Sequence, residues 1–152
     1  MTIPNLLRPL AAVLLACCSA SLLAQNTETA PRVVPSEKLD AWWAMANTSL
    51  HADVPNLGRN VDAPGCATVS FVIEPDGRTS TIKVQRVEPE GDLGRVATSV
   101  ASNLHFIPTA FNAGRMRVFS WLIFPFNLPA DKAAASAVMQ RCYMTDLTWK
   151  DH

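Results

Sequence analysis

The chain has 152 residues, of which 49% are hydrophobic and 17% are charged, with 13 basic and 13 acidic side chains. This length and apolar content are typical of one globular domain and exclude a disordered or collagen-like chain. Because the formal net charge is zero and the Lys and Arg residues stand singly among acidic ones, the sequence offers no basic face for phosphate groups. We therefore expect no nucleic-acid partner.

The first 24 residues differ in composition from the rest. Arg8 is followed by an uncharged run of apolar or small residues, Leu10–Ala24, which ends in a zone suited to cleavage. This pattern predicts a secretory signal peptide over residues 1–24 and a periplasmic or secreted mature protein. An uncleaved anchor is the alternative, but a spanning helix needs about 20 apolar residues and this run stops at Gln25 after 15.

Within this segment, the sequence from Leu14 to Cys17, Leu-Leu-Ala-Cys, resembles the lipobox of bacterial lipoproteins. If the resemblance holds, Cys17 becomes the lipidated first residue. Ordinary cleavage after Ala20 or Ala24 is the other interpretation. The two differ physically, since a lipid would tie the protein to a membrane and a plain cut would free it. We expect membrane association only through this lipid or an uncleaved anchor.

Two cysteines, Cys66 and Cys142, remain after removal of the export segment. That removal takes away one basic side chain and no acidic one, so the remaining 128 residues carry a formal net charge of −1. An exported chain with two distant cysteines is a candidate for one disulfide, which would stabilise the fold by about 4 kcal/mol in the chain-entropy model. Two unpaired thiols are the alternative. No metal-ligand spacing accompanies them, and we expect no metal or cofactor.

The mature chain begins with a short linker and a predicted helix. Residues 25–36 are polar, contain Pro31 and Pro35, and span at most about 40 Å when extended. From Glu37 to about Leu50, apolar residues recur at helical spacing and include Trp42 and Trp43, with Ser36 as the predicted cap. Residues 51–65 are rich in Asn, Asp, Pro and Gly and predict a surface loop.

The clearest local signal is a β-hairpin. Alternating apolar residues predict a strand over residues 67–74 with one buried face, formed by Val69, Phe71 and Ile73. A Pro-Asp-Gly turn at residues 75–77 follows, in which proline pre-sets φ and glycine supplies the left-handed residue. A second strand is predicted over residues 79–87.

Three further elements follow the hairpin. Asp92 is a predicted N-cap for an amphipathic helix that ends near Leu104. Residues 116–126 predict a long strand with an edge at Pro125, because proline cannot donate a ladder hydrogen bond. Residues 130–143 predict an Ala-rich C-terminal helix. On the long strand, one face carries Val118, Leu122 and Phe124 and the other carries Phe119, Trp121 and Ile123.

These elements predict an α+β fold, in which a three-stranded antiparallel sheet of ββαβ order packs with one helix between flanking N- and C-terminal helices. Residues 37–129 would form the domain and residues 130–152 a helical extension. The order of motifs resembles the C-terminal domain of the TonB family over residues 65–128. The most specific matches are Phe106-x-Pro-x-Ala110 and Asn112-x-Gly114 after the helix; Val54-Pro55 and the segment 88–91 depart from the family pattern.

The resemblance implies a non-catalytic envelope module that binds proteins and serves transmembrane transport. In that family the last strand accepts an extended peptide from an outer-membrane transporter by strand addition, and here the corresponding edge would be Arg117, Val118, Phe119, Ser120, Trp121, Leu122 and Ile123. The short linker lacks the reach of the proline-rich arm of an energy transducer, so we expect a stand-alone version of the domain.

Two alternatives remain open at this stage. Phe119, Trp121 and Ile123 could be covered by the Trp42–Trp43 helix or by the C-terminal helix, which would favour a secreted or lipid-anchored accessory domain with a capped edge and no transporter contact. A dimer is also open. An enzyme is not expected, because the three histidines (His51, His105 and His152) are not close in sequence to a recognisable nucleophile arrangement.

Overall fold

A computed structural model describes residues 29–151 of the chain. The predicted export segment 1–24, including Cys17, lies outside this range, as does His152. The strands are β1 (Arg32–Val33), β2 (Trp43–Met45), β3 (Gly65–Ile73), β4 (Thr79–Glu88), β5 (Phe106–Pro108) and β6 (Val118–Phe126), and the α-helices are α1 (Leu39–Trp42), α2 (Leu93–Ser102) and α3 (Lys132–Gln140). Short 3-10 turns occupy Ser36–Lys38, Ala110–Asn112 and Trp149–Asp151.

The main sheet has four strands in the order β1-β6-β3-β4. Strand β3 is antiparallel to both β4 and β6, so the α+β class and the predicted ββαβ core are present. The predicted count of three strands is wrong, because β1 joins the outer side of β6 in parallel. A second sheet of two antiparallel strands, β2 and β5, was not predicted. The linker residues that form β1 are therefore part of the fold.

Both faces of β3 are buried, whereas the alternation of its residues predicted one buried face. All nine residues of this strand are buried. The first face carries Val69, Phe71 and Ile73, which share a core with residues of α2 such as Ala97 and Ala101. The second face includes the polar residues Thr68 and Ser70, whose small hydroxyl side chains gave the appearance of a solvent face. Side-chain polarity thus misled the prediction for that face.

The predicted helix over residues 37–50 is helical only as far as Trp42, and the rest of the prediction is wrong. A single turn of α-helix, α1, is followed at once by β2, because Trp43, Ala44 and Met45 pair with Pro108, Ile107 and Phe106 of β5. Trp43 is 1% exposed in the first-face core, and its indole N–H donates to the Met116 carbonyl at 3.3 Å. Long-range pairing therefore overrides the local helical pattern. Ser36, the predicted cap, is the first residue of the 3-10 turn, whose cap position is Pro35.

Helix α2 is confirmed over Leu93–Ser102 and lies on the first face of the sheet. Asp92 stands at its N-cap position, but its carboxylate does not cap the helix. Instead that carboxylate accepts from the Arg59 amide at 2.8 Å and lies 3.7 Å from the Arg95 guanidinium. Asp92 thereby ties the long loop before β3 to the start of the helix.

The C-terminal extension covers the second face of the sheet. Its helix, α3, is shorter than predicted, and the Asp131 carboxylate caps it by accepting from the Ala134 amide at 2.8 Å. Cys142, just beyond α3, forms a disulfide with Cys66 of β3, as one of the two sequence interpretations predicted. Both cysteines are fully buried. The extension is therefore a covalently fastened layer of the domain.

Replacing both cysteines by alanine should lower the free energy of unfolding by about 4 kcal/mol, because the bond closes a loop of 76 residues. Urea denaturation of the Cys66→Ala/Cys142→Ala variant would measure this loss. As a control, a reducing agent should destabilise the wild type and leave the variant unaffected. Equal stability of the two proteins under oxidising conditions would contradict the prediction.

Candidate functional site

The outer side of β6 is partly occupied by the protein's own N-terminal strand. The amide of Arg32 donates to the Arg117 carbonyl at 3.0 Å, and the amide of Val34 donates to the Phe119 carbonyl at 2.9 Å. The predicted partner-binding edge, residues 117–123, is therefore not free along its whole length. Its first three residues already have a strand beside them, supplied by β1.

Beyond Phe119 no strand lies beside the outer edge of β6 in the part of the chain that the structure describes. The chain turns away at Pro35 into the 3-10 turn Ser36–Lys38, and no described strand pairs further along. The backbone groups of Arg117 and Phe119 point away from β3, toward β1. This direction alternates along a strand, so the backbone groups of Trp121 and Ile123 point the same way. The backbone groups of Trp121 and Ile123 therefore have no described strand beside them, and Trp121 as a whole is only 2% exposed.

The two faces of β6 follow the predicted alternation. Val118, Leu122 and Phe124 pack with the first-face core. Phe119 and Trp121 pack with Leu147, Met144 and Trp149 on the second face, and Ile123 packs with Val138, Met139 and Cys142. The predicted cover by the C-terminal helix is therefore present for Ile123, whereas Phe119 and Trp121 are covered by residues beyond that helix, and Trp43 lies in the opposite core. This packing covers the side chains on both faces of β6 and does not pair the backbone groups along its outer edge.

A short C-terminal segment, residues 141–144, crosses the second face from one side of the sheet to the other. The Arg141 carbonyl accepts from Arg86 of β4 at 3.1 Å, and the Cys142 carbonyl accepts from the Thr68 hydroxyl of β3. The Met144 carbonyl then accepts from the Trp121 indole of β6 at 3.1 Å. We call residues 141–144 the C-terminal strap. It supplies backbone acceptors to three neighbouring strands.

The strap also contacts the turn that follows β1. The Tyr143 hydroxyl lies 3.3 Å from the Glu37 carboxylate, to which it donates. Glu37 and Tyr143 come from the two segments that flank the open part of the β6 edge. The sequence did not indicate either residue. No motif predicts their contact, because it depends on where the strap and the turn after β1 lie.

Two of the predicted site residues, Arg117 and Ser120, have side chains that are mostly or fully buried. The Arg117 guanidinium binds the Glu74 carboxylate through two hydrogen bonds of 2.7 and 2.9 Å, and both side chains are less than one-third exposed. This hydrogen bonding lowers the pKa of Glu74 below its ordinary value, against the effect of burial, and the Ser80 hydroxyl lowers the pKa further. Ser120 is fully buried, and its hydroxyl has no partner among the described residues.

The described residues contain no group of three or more His, Cys, Asp or Glu side chains arranged to hold a metal ion. Both described histidines, His51 and His105, are exposed.

No helix within residues 29–151 has the length and apolar character needed to cross a bilayer.

Comparisons with known proteins give a partial similarity to a solved structure. No family model matches the chain. No curated protein matches it. Part of the chain is similar to the solution NMR structure of the Pseudomonas aeruginosa TonB CTD, with 18% sequence identity and a TM-score of 0.45 over 65% of this chain and 97% of that one.

The Glu74–Arg117 pair should make stability depend on pH in the acid range. Because the folded-state pKa of Glu74 is lowered, its contribution is fully present above the ordinary pKa of 4.5 and is lost as the pH falls through the lower folded-state pKa. Thermal unfolding of wild type and Glu74→Gln between pH 7 and pH 2 would measure this. The stability difference should shrink on acidification.

Glu90→Gln is the matched control, because the Arg59–Glu90 contact is 3.6 Å long and its side chains are 69% and 92% exposed. Such a solvated pair contributes little to stability. If the Glu74→Gln and Glu90→Gln variants gave the same profile, the Glu74–Arg117 pair would have no special role.

Proposed function

We propose that this chain is a non-catalytic protein-binding module of the bacterial cell envelope. It accepts an extended segment of a partner protein by strand addition to the open edge of β6, and the partner is an outer-membrane transporter. The observation that carries the proposal is the outward-pointing backbone of Trp121 and Ile123, which lacks a described partner strand. A strand with free backbone groups is a template for another strand.

The other edge of the sheet supports this choice by contrast. Strand β4 forms the opposite edge, and its pairing with β3 shifts register twice, at Thr68/Val69 and at Ser70/Val72. Thr81 of β4 has a φ of 47°. Bulges and irregular backbone of this kind twist an edge and discourage further pairing. Strand β6 pairs with β3 in unbroken register over nine residues and thus offers the more regular template.

The motif that carries the sequence resemblance has a structural role at the entry to this strand. Asn112 is 3% exposed, and its side-chain oxygen accepts from the Met116 amide at 2.9 Å, while its side-chain nitrogen lies 3.3 Å from the Met116 carbonyl. The side chain closes the loop that leads into β6. In the TonB-like interpretation, the same Asn-x-Gly motif precedes the peptide-accepting strand.

The periplasm is the proposed location. The predicted export segment leads there, and a buried disulfide is typical of proteins that fold in an oxidising compartment. Anchoring through Cys17 stays a proposal, and the mass of the mature N-terminus would test it.

Strand addition predicts that Ile123→Pro weakens binding of an extended peptide by about tenfold or more. Proline removes the outward amide of Ile123 without touching the ladder to β3, and one backbone hydrogen bond together with the lost edge geometry is worth about 1.4 kcal/mol. The probe is a nine-residue peptide enriched from a random display library on the naturally processed chain. Affinity would be measured by fluorescence polarisation.

Ile123→Ala is the matched control, because it removes the same side chain and keeps the amide. It should bind the peptide more tightly than Ile123→Pro, and amide exchange at residue 123 should slow when the peptide binds. Recovery of an outer-membrane transporter from envelope extracts, lost in Ile123→Pro alone, would support the partner class. Equal binding by both variants, or a stable dimer that enriches no peptide, would overturn the proposal in favour of an accessory domain.

A further inference from the structure

We infer that the open edge of β6 selects its partner strand through one aliphatic side chain, which enters a cavity beside Leu122. The inference rests on the proposed strand addition and goes beyond it by naming the side chain that is recognised. Three observations carry it: the way β1 already uses this edge, the cavity where β1 leaves it, and the chemistry of the cavity wall.

Strand β1 shows how a strand on this edge sends a side chain into the first-face core. Val33 pairs with Phe119, and the next residue, Val34, is 3% exposed in that core. Because neighbours in register share a face of the sheet, a residue beside an even-numbered position of β6 points the same way as Val34. The next such position is Leu122. There the protein's own chain has already turned away at Pro35.

A cavity of about 150 Å³ lies at this point. Ser36, which follows β1, and Leu122 of β6 both line it, so it lies between the end of β1 and the open edge. Trp43, Met45 and Phe106 form much of its wall. A water molecule takes about 30 Å³ in the liquid, so the space suits one medium-sized side chain better than a single water.

The wall favours an aliphatic occupant over an acidic one. Most of the lining side chains are apolar, so an aliphatic group that enters gains by leaving water. Asp40 is the acidic residue among those lining the cavity, and its carboxylate disfavours a second negative charge nearby. A partner strand is therefore expected to carry Val, Leu or Ile at the position opposite Leu122 and to reject Asp there.

Variants of the library-derived peptide would test this inference. The residue that shows nuclear Overhauser contacts to the Leu122 methyls would be changed to Ala and to Asp. We expect the Ala peptide to bind at least tenfold more weakly than the aliphatic peptide, and the Asp peptide to bind more weakly still. Ser36→Leu, which fills the cavity, should remove the advantage of the aliphatic peptide and leave the affinity of the Ala peptide within about threefold.

Met45→Ala and Met116→Ala give a matched pair of variants. Both methionines are about half exposed, at 46% and 49%, but Met45 lines this cavity and Met116 does not. Met45→Ala should shift the preferred residue toward a larger side chain by at least threefold, and Met116→Ala should leave the preference unchanged.

The outcomes separate this inference from the proposed function. If binding depends on the Ile123 amide but the aliphatic and Ala peptides bind equally, the edge accepts strands and the cavity selects nothing, which overturns the inference. The same holds if Ser36→Leu weakens both peptides alike. If no peptide binds in a way that Ile123→Pro reduces, the proposed function itself fails.

Discussion

The burial of β3 on both faces is the constraint on which the rest of the domain depends. Its first face is apolar and is satisfied by packing against α2 and the β2–β5 sheet. Its second face presents the hydroxyls of Thr68 and Ser70, which need hydrogen-bond partners when buried. Thr68 finds the Cys142 carbonyl, and Ser70 accepts from the Gln85 side chain at 2.7 Å. Gln85 belongs to β4, so it is Thr68 that requires the second layer to supply a polar acceptor as well as apolar contacts.

The C-terminal strap answers that requirement, and the disulfide keeps it in position. A strap lying across the strands offers its carbonyls one after another to β4, β3 and β6, which a helix could not do because its carbonyls are used internally. The bond between Cys66 and Cys142 fixes the strap at its middle, above the central strand. With both faces covered in this way, the edges of the sheet are where backbone groups remain available for a partner.

The sequence predicted the elements whose signals are local. Alternation over Val69–Ile73, the Pro-Asp-Gly turn and the helical spacing after Asp92 each lie within a few residues, and the structure has β3, β4 and α2 there. The faces of β6 could be predicted for the same reason. The two-residue strand β1 could not, because Val33 and Val34 between two prolines show no periodicity. Nor could the strand at Trp43, since its partner lies more than 60 residues away.

The same limit applies to the candidate site. The types and order of the residues were enough to predict β6 as a strand with an outer edge. Which part of that edge is paired and which is not depends on where β1 ends. Strand β1 ends because the chain turns into the 3-10 segment Ser36–Lys38 directly after Pro35, so the ladder to β6 stops with the Val34 amide. The residues of β6 do not indicate where β1 ends, so the unpaired part of the edge could be identified only from the fold.

Because β1 pairs with only part of the β6 edge, a partner strand could either displace β1 or bind beside the remaining part. To use the whole edge, the partner would have to displace β1, which means exposing Val34 and breaking two backbone hydrogen bonds of 3.0 and 2.9 Å. Fully exposing a buried valine alone costs about 1.5–3 kcal/mol. The Arg32 guanidinium, 4.6 Å from the centre of the Trp42 ring, adds a further contact that displacement would break. A strand that starts beside Trp121 and runs along Ile123 leaves β1 in place; the contacts it meets there include the exposed 3.3 Å hydrogen bond between Tyr143 and Glu37 and the turn Ser36–Lys38, which lies against β6. The shorter site is therefore the one that the energetics favour.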